Sequence, residues 1–529
     1  MLVLAFVVMA GGARAQSLDE LIAGLKADSF EGKIDAIEAL AATGDERAAP
    51  VLDAMLNRRL LVQKSTGAVV LGERTGRVYH LTDPISGADL GEAPRGDIET
   101  VNVNNRLRGV LRGALGSLTL ANRDPNQRAA AADALFKAGD DTMLTPLKQA
   151  IERETDNSTR RRIERAQAAV IVRTQSAPDT VLAAIDTLAG HADPEVQSLL
   201  ASVAADTDDP RIAEAAGQAR ERVEGRLALW SAVGNIFHGL SLGSVLLLAA
   251  VGLAITFGVM GVINMAHGEM VMLGAYTTFV VQEIFRTYVP GAFDVSVIVA
   301  IPAAFLVAGL VGIAIERTVI RFLYGRPLET LLATWGLSLV LQQAVRSLFG
   351  PTNREVGSPS WMSGAFDIGG GVAITYNRLW IILFSLAVFA TLMLLIRCSR
   401  FGLQMRAVVQ NRPMAASMGI RTGRVDALTF GLGSGIAGMA GVAVSQIDNV
   451  SPNLGQGYII DSFMVVVFGG VGNLWGTLVG ALSLGMINKL LEPYSGAVLG
   501  KILVLVLIIL FIQKRPRGLF ALKGRAVEG

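Results

Sequence analysis

The sequence predicts an all-α protein in two parts: a polytopic membrane domain of helices, preceded by an exported HEAT-like helical domain with a small β insertion. Three observations lead to this expectation: an apolar N-terminal run, a charged segment with repeated helical patterns, and a series of long apolar stretches from about residue 228 onward. Of the 529 residues, 51% are hydrophobic and 17% are charged. Soluble domains carry about 25% charged residues, so this composition argues against a wholly soluble protein.

The charges are concentrated in the first part of the chain. Residues 230–529 contain 20 basic and 12 acidic residues, whereas residues 1–229 contain 27 basic and 33 acidic residues. Cys398 is the only cysteine, which excludes a disulfide scaffold and a cysteine-based structural metal site. The four histidines show no metal-ligand spacing, so we expect neither a metal site nor catalytic residues.

The N-terminus resembles a secretory signal peptide, which we place at residues 1–15. Residues 1–10 are apolar, and Ala13-Arg14-Ala15 forms a small-x-small cleavage site. A spanning helix needs about 20 residues, so this run is too short to be one. No basic residue precedes it, which leaves open an upstream start or an uncleaved stub. We expect residues 16–228 to lie outside the cytoplasmic membrane.

Residues 16–228 contain a weak internal repeat. Residues 29–40, followed by Gly44-Asp45, resemble residues 124–135, followed by Gly139-Asp140, and Asp193-Pro194 opens a similar unit. Helix pairs that stack on their neighbours are typical of a HEAT-like α-solenoid.

Two segments of this domain depart from the helical repeat. Residues 60–104 contain short β-type runs between turn residues, which predict a small β insertion. The basic run Arg160-Arg161-Arg162, with Arg165, is interpreted as a solvated helix face of an acidic domain, so no nucleic-acid partner is expected. The sequence supports only a docking or scaffolding role here.

The second part, residues 229–529, contains seven apolar stretches that are long enough to span or nearly span a membrane. They are residues 237–262, 268–285, 295–315, 329–349, 379–396, 427–446 and 496–513. An eighth stretch, 458–490, is interrupted at residues 468–476, which include Gly469, Gly470 and Gly472. Backbone groups freed by such a break must face protein or a watery cavity, and broken helices recur at substrate sites of transporters.

Three clusters of basic residues predict the orientation of these stretches. The first lies at residues 317–326, the second at residues 397–424 and the third at residues 514–525. If all three are cytoplasmic, counting the stretches back from Arg317 places residue 228 outside, in agreement with the signal peptide. The C-terminus is then cytoplasmic.

Several polar residues interrupt the apolar segments. Asn264, His267 and Glu269 form one group. Charged side chains are costly within a bilayer, so they usually serve a function there. The alternative is a loop at the interface, where Asn264 and His267 only satisfy helix ends. Further single candidates are Gln342, Gln343, Gln446, Asp461 and Asn473. The small-residue spacing at Gly431, Gly435, Ala437 and Gly441 predicts close helix packing and not a site.

The second basic cluster includes a short segment with helical propensity. Residues 406–420 are rich in alanine, and Pro413 fits a first helical turn. A small cytoplasmic helix ending at Gly419 is suited to a groove of a partner protein. An ordinary basic loop is the alternative.

Three motifs resemble the permeases of ABC importers of the branched-chain amino acid type. Residues 252–269 read GLAITFGVMGVINMAHGE and resemble the opening signature of that family. Residues 406–412, RAVVQNR, resemble its ATPase-contacting loop, and residues 468–473, FGGVGN, its late glycine-rich break. Residues 64–72 and 79–87 are similar to segments of the extended urea permeases within this family. One departure is Pro413-Met414-Ala415, where many relatives carry Glu-Ala-Ala, so an acidic contact to the ATPase is not carried over.

The resemblance implies a urea permease subunit in the bacterial inner membrane that binds no cofactor itself. It implies four kinds of partner: membrane lipid, a second homologous permease, a periplasmic urea-binding protein, and two cytoplasmic ATPase subunits that use ATP. The implied coupling residues are Arg406, Gln410, Asn411, Arg412 and Gly419. The pathway hypothesis comprises Asn264, His267, Glu269, Gln342 and Asn473, with Glu269 in gating or helix positioning because urea carries no charge.

Two other functions stay open from the sequence. One is a permease for branched-chain amino acids or short amides within the same family. The other is a membrane-anchored receptor or scaffold, although an anchor needs neither broken helices nor an arginine-rich docking loop. The chain has no Gly-x-x-x-x-Gly-Lys-Ser/Thr motif, so nucleotide hydrolysis is expected to come from another chain.

Overall fold

The computed structural model describes residues 18–520, except residues 28, 46, 76, 77, 140, 175 and 176. The predicted signal peptide, residues 1–15, lies outside the described residues. The chain divides into two compact units, Met1–Leu227 and Ala228–Gly529.

The first unit is mainly helical. Its described helices are α1 (Leu18–Gly24), α2 (Phe30–Thr43), α3 (Ala48–Leu56), α4 (Asn105–Leu120), α5 (Pro125–Ala138), α6 (Leu144–Arg153), α7 (Asn157–Arg173), α8 (Pro178–Ala189) and α9 (Pro194–Asp206). The two predicted copies begin and end alike. Ser29 and Asp124 cap α2 and α5 through their side-chain oxygens, and each helix is followed by a glycine with φ of 63°. Identification of the helix pairs as HEAT-like stays a prediction.

A five-stranded antiparallel sheet lies between α3 and α4. Its strands are β1 (Leu60–Gln63), β2 (Val69–Thr75), β3 (Val78–Thr82), β4 (Asp89–Pro94) and β5 (Ile98–Thr100), in the order β4-β3-β2-β1-β5. This sheet confirms the predicted β insertion. The apolar runs of the sequence correspond to β1, β2 and β3, whereas β4 and β5 are largely exposed and lack a strong apolar pattern.

The arginine run on α7 differs from the predicted solvated face. The side chain of Arg165 is only 12% exposed and forms ion pairs with Asp133 of α5 and with Asp193, the cap of α9. Arg162 pairs with the same Asp133 at 2.7 Å. The interpretation as a solvated face was therefore wrong for Arg165, which joins three helices of the unit.

The second unit consists of long helices and a short β-hairpin. The helices are α10 (Pro210–Met260, which begins in the first unit), α11 (His267–Tyr288), α12 (Ser296–Thr318), α13 (Pro327–Phe349), α14 (Tyr376–Cys398), α15 (Arg400–Gln410), α16 (Arg412–Ser417), α17 (Thr422–Ser445), α18 (Leu454–Gly469) and α19 (Leu474–Lys514); the hairpin is β6 (Ala365–Asp367) with β7 (Ala373–Thr375). The all-α fold with only small sheets confirms the predicted fold class.

Five helical segments of the described chain are long and apolar enough to cross a membrane. They are Pro210–Met260, Pro290–Phe322, Tyr376–Cys398, Thr422–Ser445 and Leu474–Lys514. The predicted stretches 268–285 and 329–349 correspond to α11 and α13, which have 22 and 23 residues but carry more polar side chains. The protein is therefore a multi-pass membrane protein with two comparatively polar helices among apolar ones.

Helix α17 is largely enclosed by its neighbours, and its glycines explain why. A Cβ atom on Gly433 would lie 2.6 Å from the carbonyl oxygen of Gly252 on α10. One on Gly438 would lie 2.6 Å from the carbonyl oxygen of Ala304 on α12, and one on Gly441 would lie 2.0 Å from that of Val271 on α11. Three helices therefore approach the α17 backbone directly. The predicted close packing is confirmed at Gly431, Gly435 and Gly441, where a Cβ would lie within 3.2 Å of a carbonyl oxygen of a neighbouring helix.

The predicted break in the eighth apolar stretch is confirmed, since α18 ends at Gly469 and α19 begins at Leu474. The backbone groups that this break frees are bound by the segment that follows α19. The amide of Leu519 donates to the carbonyl of Phe468 at 2.9 Å, and the amide of Phe520 donates to that of Gly469 at 3.2 Å. The break is thus satisfied by protein, which is one of the two environments expected for it.

Candidate functional site

Helix α13 buries its polar face and exposes its apolar face. Its buried residues include Thr330, Thr334, Ser338 and Gln342, spaced four residues apart. Leu332, Trp335, Val340 and Leu348 are on the exposed side, with exposed fractions of 65%, 52%, 63% and 78%. This is the reverse of a helix in a soluble domain, and it places a line of hydroxyl and amide groups inside a bundle of membrane helices.

Glu269 faces this line from α11. Its carboxylate is buried, and Oε1 accepts hydrogen bonds from Ser338 Oγ and from Gln342 Nε2, both at 2.8 Å. The residue lies in the first turn of α11, where the helix dipole favours a negative charge. Its second oxygen, Oε2, has no hydrogen-bond partner among the described residues.

The polar contacts continue on both sides of Glu269. Toward the start of α13, Thr334 Oγ1 accepts from the amide of Met265 at 3.1 Å. In the other direction, Gln456 Nε2 of α18 donates to Gln342 Oε1 at 3.4 Å. We call the group Glu269, Thr334, Ser338, Gln342 and Gln456 the polar seam. It is formed by α11, α13 and α18.

Asn264 and His267 lie buried at the start of α11. Asn264 Oδ1 accepts from the amide of Ala266 at 3.0 Å, as expected of a residue that satisfies a helix end. His267 Nε2 donates to the carbonyl of Ala249 at 2.9 Å and so ties α11 to α10. Asn264 Nδ2 and His267 Nδ1 have no hydrogen-bond partner within the described part of the chain.

Asn473 is placed differently from the pathway hypothesis. Its Oδ1 accepts from the amides of Trp475 and Gly476 and so caps α19, while its Nδ2 donates to the carbonyl of Phe520 at 3.4 Å. The side chain thereby stabilises the α18–α19 break, and among the described residues it forms no hydrogen bond with the polar seam. Gly469, Gly470 and Gly472 belong to the same break, where a Cβ on Gly469 or Gly470 would collide with backbone.

The predicted coupling segment folds as a separate short helix. Asn411 Oδ1 accepts from the amide of Met414 and caps α16, and Pro413 occupies its first turn. The helix is closed by Gly419, whose φ is +83°. Arg406 donates to the carbonyl of Ile396 at the end of α14, and Gln410 is exposed. The short helix was predicted; the contact of Arg406 with the end of α14 was not.

A loop between α13 and α14 contacts the far end of α11. Gln282 Nε2 donates to the carbonyl of Gly357 at 2.8 Å, and its Oε1 accepts from the amide of the same glycine at 2.9 Å. Arg354 and Val450 exchange two backbone hydrogen bonds. These contacts hold the loop against α11 and the end of α17.

Sequence reasoning missed Thr334, Ser338, Gln456 and Gln282. The first two had a detectable signal, because polar residues at four-residue spacing lie on one face of a helix. Gln456 and Gln282 had none, since their roles depend on neighbours that are distant in the chain.

Residues 235–512 match the family described as branched-chain amino acid transport system, permease component. The permease LivH of the high-affinity branched-chain amino acid transport system of Salmonella typhimurium is 32% identical over 293 residues, which cover 54% of this chain and 94% of that protein. BraD of Pseudomonas aeruginosa, another such permease, is 30% identical over 291 residues, with the same coverage. The ribose import permease RbsC of Escherichia coli is 26% identical over 267 residues, covering 49% of this chain and 77% of RbsC.

No solved structure matches the chain. The family match covers more than half of the chain and contains every residue of the polar seam and of α16. This chain belongs to the permease family of branched-chain amino acid transport systems.

Proposed function

We propose that this chain is the transmembrane permease subunit of an ABC importer that moves urea across the bacterial cytoplasmic membrane. The observation that carries the proposal is the polar seam, a set of hydrogen-bonding side chains contributed by α11, α13 and α18. A small neutral solute needs hydrogen-bond partners in an apolar membrane but no fixed countercharge.

Three polar atoms support a role for this region in solute contact. Three buried polar atoms have no hydrogen-bond partner among the described residues. They are the donor Nδ2 of Asn264, the acceptor Oε2 of Glu269, and Oη of Tyr276, which lies two turns further along α11. Buried polar atoms are usually hydrogen-bonded, so atoms left free in a transporter are candidates for its cargo. Urea offers N–H donors for Glu269 and a carbonyl acceptor for Asn264.

The proposed assembly follows the family resemblance. A periplasmic binding protein delivers urea, a second homologous permease completes the path, and two cytoplasmic ATPase subunits hydrolyse ATP. Helix α16 is the proposed contact with an ATPase. The N-terminal unit is periplasmic in this proposal, the C-terminus is cytoplasmic, and the N-terminal unit serves in docking or scaffolding.

A branched-chain amino acid or a short amide is the second candidate cargo. Two observations favour this cargo. The relatives LivH and BraD are permeases of branched-chain amino acid transport systems, and the free carboxylate oxygen of Glu269 suits the ammonium group of an amino acid. An ammonium group gains more than urea does from a buried carboxylate.

Uptake in cells that lack the gene separates the two cargoes. Labelled urea and labelled leucine are supplied in parallel, with and without a plasmid copy of the gene. Restoration of urea uptake alone is the result that we expect. Restoration of leucine uptake alone would replace urea with an amino acid as the cargo.

A further inference from the structure

We propose that Arg412 is a positioning residue that fastens α16 to the ends of α12 and α17, and that only the opposite side of α16 meets the ATPase. This inference rests on the proposed coupling role of α16. It changes the role of Arg412, whose resemblance to the family motif suggested a direct contact with the partner.

The first contact is an ion pair between Arg412 and Asp426 of α17. Nη1 and Nη2 of the guanidinium donate to the two carboxylate oxygens of Asp426, so both oxygens are used. Asp426 is fully buried, whereas the Arg412 side chain is 41% exposed. The arginine therefore reaches inward from α16 to neutralise a buried charge.

The second contact extends this pair to α12. The Arg412 guanidinium lies 4.9 Å from the ring centre of Tyr324, which follows α12. Tyr324 Oη donates to Oε1 of the buried Glu316 at 3.1 Å. Arg317 Nε is 3.6 Å from the other oxygen of Glu316. We call Arg412, Asp426, Tyr324, Glu316 and Arg317 the charge latch; it contains two acidic and two basic side chains.

The two sides of α16 differ in exposure. Ala415 is buried on the side of the latch. Met414 and Met418 are exposed by 62% and 76%. Methionine adapts to irregular apolar grooves, so this outer side suits a protein partner. The exposed side of α16 is therefore free to bind the ATPase, and the buried side passes the motion of α16 to the charge latch.

The charge latch can transmit motion because it joins rigid helices. A displacement of α16 pulls on Asp426 of α17 and, through Tyr324, on Glu316 of α12. Helix α17 contacts α11 backbone-to-backbone at Gly441, and α11 carries Glu269. The path from α16 to the polar seam is therefore a chain of ion-pair, hydrogen-bond and close-packing contacts.

The first test uses the purified importer complex in proteoliposomes. Arg412→Ala and Asp426→Ala should each reduce uptake of labelled urea about tenfold while ATP hydrolysis changes less than twofold. The double variant should lose no more than either single variant. Arg424→Ala, which removes an exposed arginine from the same helix as Asp426, should leave uptake unchanged. Additive losses, or a parallel loss of ATP hydrolysis, would overturn the latch.

The second test needs neither solute nor partners. In a Cys398→Ser background, Ser417→Cys places a spin label on exposed α16 of the full chain in nanodiscs. Arg412→Ala should increase the mobility of the label, and Arg424→Ala should not. If Arg412→Ala fails to fold, Arg412→Lys is measured instead. This variant keeps the positive charge but loses the bidentate contact with Asp426. Unchanged mobility of the label in Arg412→Ala would refute the anchoring of α16 by Arg412, even if transport were normal. An absence of urea transport by the wild-type complex would refute only the proposed function.

Discussion

Glu269 shows how single residues make a buried charge tolerable in the membrane unit. Two donors from α13, Ser338 and Gln342, bind the same carboxylate oxygen, and the start of α11 supplies a favourable dipole. The other oxygen keeps its capacity to accept. A carboxylate held in this way is fixed in position but incompletely satisfied, which is the state that a solute contact requires.

Ser338→Ala is expected to destabilise the protein by about 1 kcal/mol, because Glu269 loses one of its two donors. Ser347→Ala, on the exposed side of α13, is the matched control and should change stability little, since both changes have the same effect on helix propensity. Thermal unfolding of the purified chain in detergent measures both. Equal melting temperatures for the two variants would show that the hydrogen bond to Glu269 does not contribute.

His191 gives the N-terminal unit a predictable pH dependence. Burial and the nearby Arg165, Arg161 and Arg226 lower the pKa of His191 from 6.5 to about 4. Between these values the unfolded chain binds more protons than the folded chain, so stability present above pH 6.5 is lost as the pH falls toward 4.

We expect this loss to reach about 2 kcal/mol, since one pKa unit corresponds to about 1.4 kcal/mol and solvent screens part of the effect. His191→Gln should flatten the dependence in this window. Calorimetric unfolding of the full chain at pH 7, 6, 5 and 4 provides the comparison. An equally steep loss in the variant would remove His191 as its source.

At the scale of helices, side-chain size on α17 controls how closely the bundle packs. The neighbours of its glycines are mostly backbone atoms, which cannot rotate away as side chains can. The close approach brings α11, and with it the polar seam, against α17.

Gly441→Ala is expected to destabilise the membrane unit by about 1–3 kcal/mol, because its Cβ would lie 2.0 Å from the carbonyl oxygen of Val271. Gly423→Ala on the same helix is the control, since no atom lies within 4 Å of the added Cβ. Melting temperatures in detergent should fall only for the first variant. A similar rise in both melting temperatures would mean that the better helix propensity of alanine, and not packing, decides the outcome.

Individual helices differ in how far the sequence predicts them. The apolar stretches, the glycine spacing of α17, the short α16 and the α18–α19 break were all predicted, because each depends on local composition or spacing. The inverted burial of α13 was not, since hydropathy gives the length of a helix but not the direction of its polar face. The cap role of Asn473 and the contacts of residues 519 and 520 with the break depend on residues far apart in the chain.

For the whole molecule, the proposed orientation in the membrane rests on the basic clusters and on the predicted signal peptide. Cys398, the only cysteine, is exposed and lies within the second basic cluster. Its thiol should react with a membrane-impermeant reagent only after cells are permeabilised.

A cysteine in the N-terminal unit should behave in the opposite way. Gln149→Cys, at an exposed position of α6 in a Cys398→Ser background, should be labelled once the outer membrane is permeable to the reagent. Labelling of Cys398 under those conditions, with Gln149→Cys protected, would invert the proposed topology.

If the polar seam is the path of the solute, as we propose, the neighbouring residues Gln342 and Gln343 should respond differently to substitution. Gln342 is buried in the seam, whereas Gln343 is exposed on the same helix. Labelled-urea uptake by complexes that assemble normally is the measurement. We predict a fall of about tenfold or more for Gln342→Ala, corresponding to a lost buried hydrogen bond of more than about 1 kcal/mol, and no change for Gln343→Ala. Unchanged uptake by Gln342→Ala would show that the polar seam is not the path of urea.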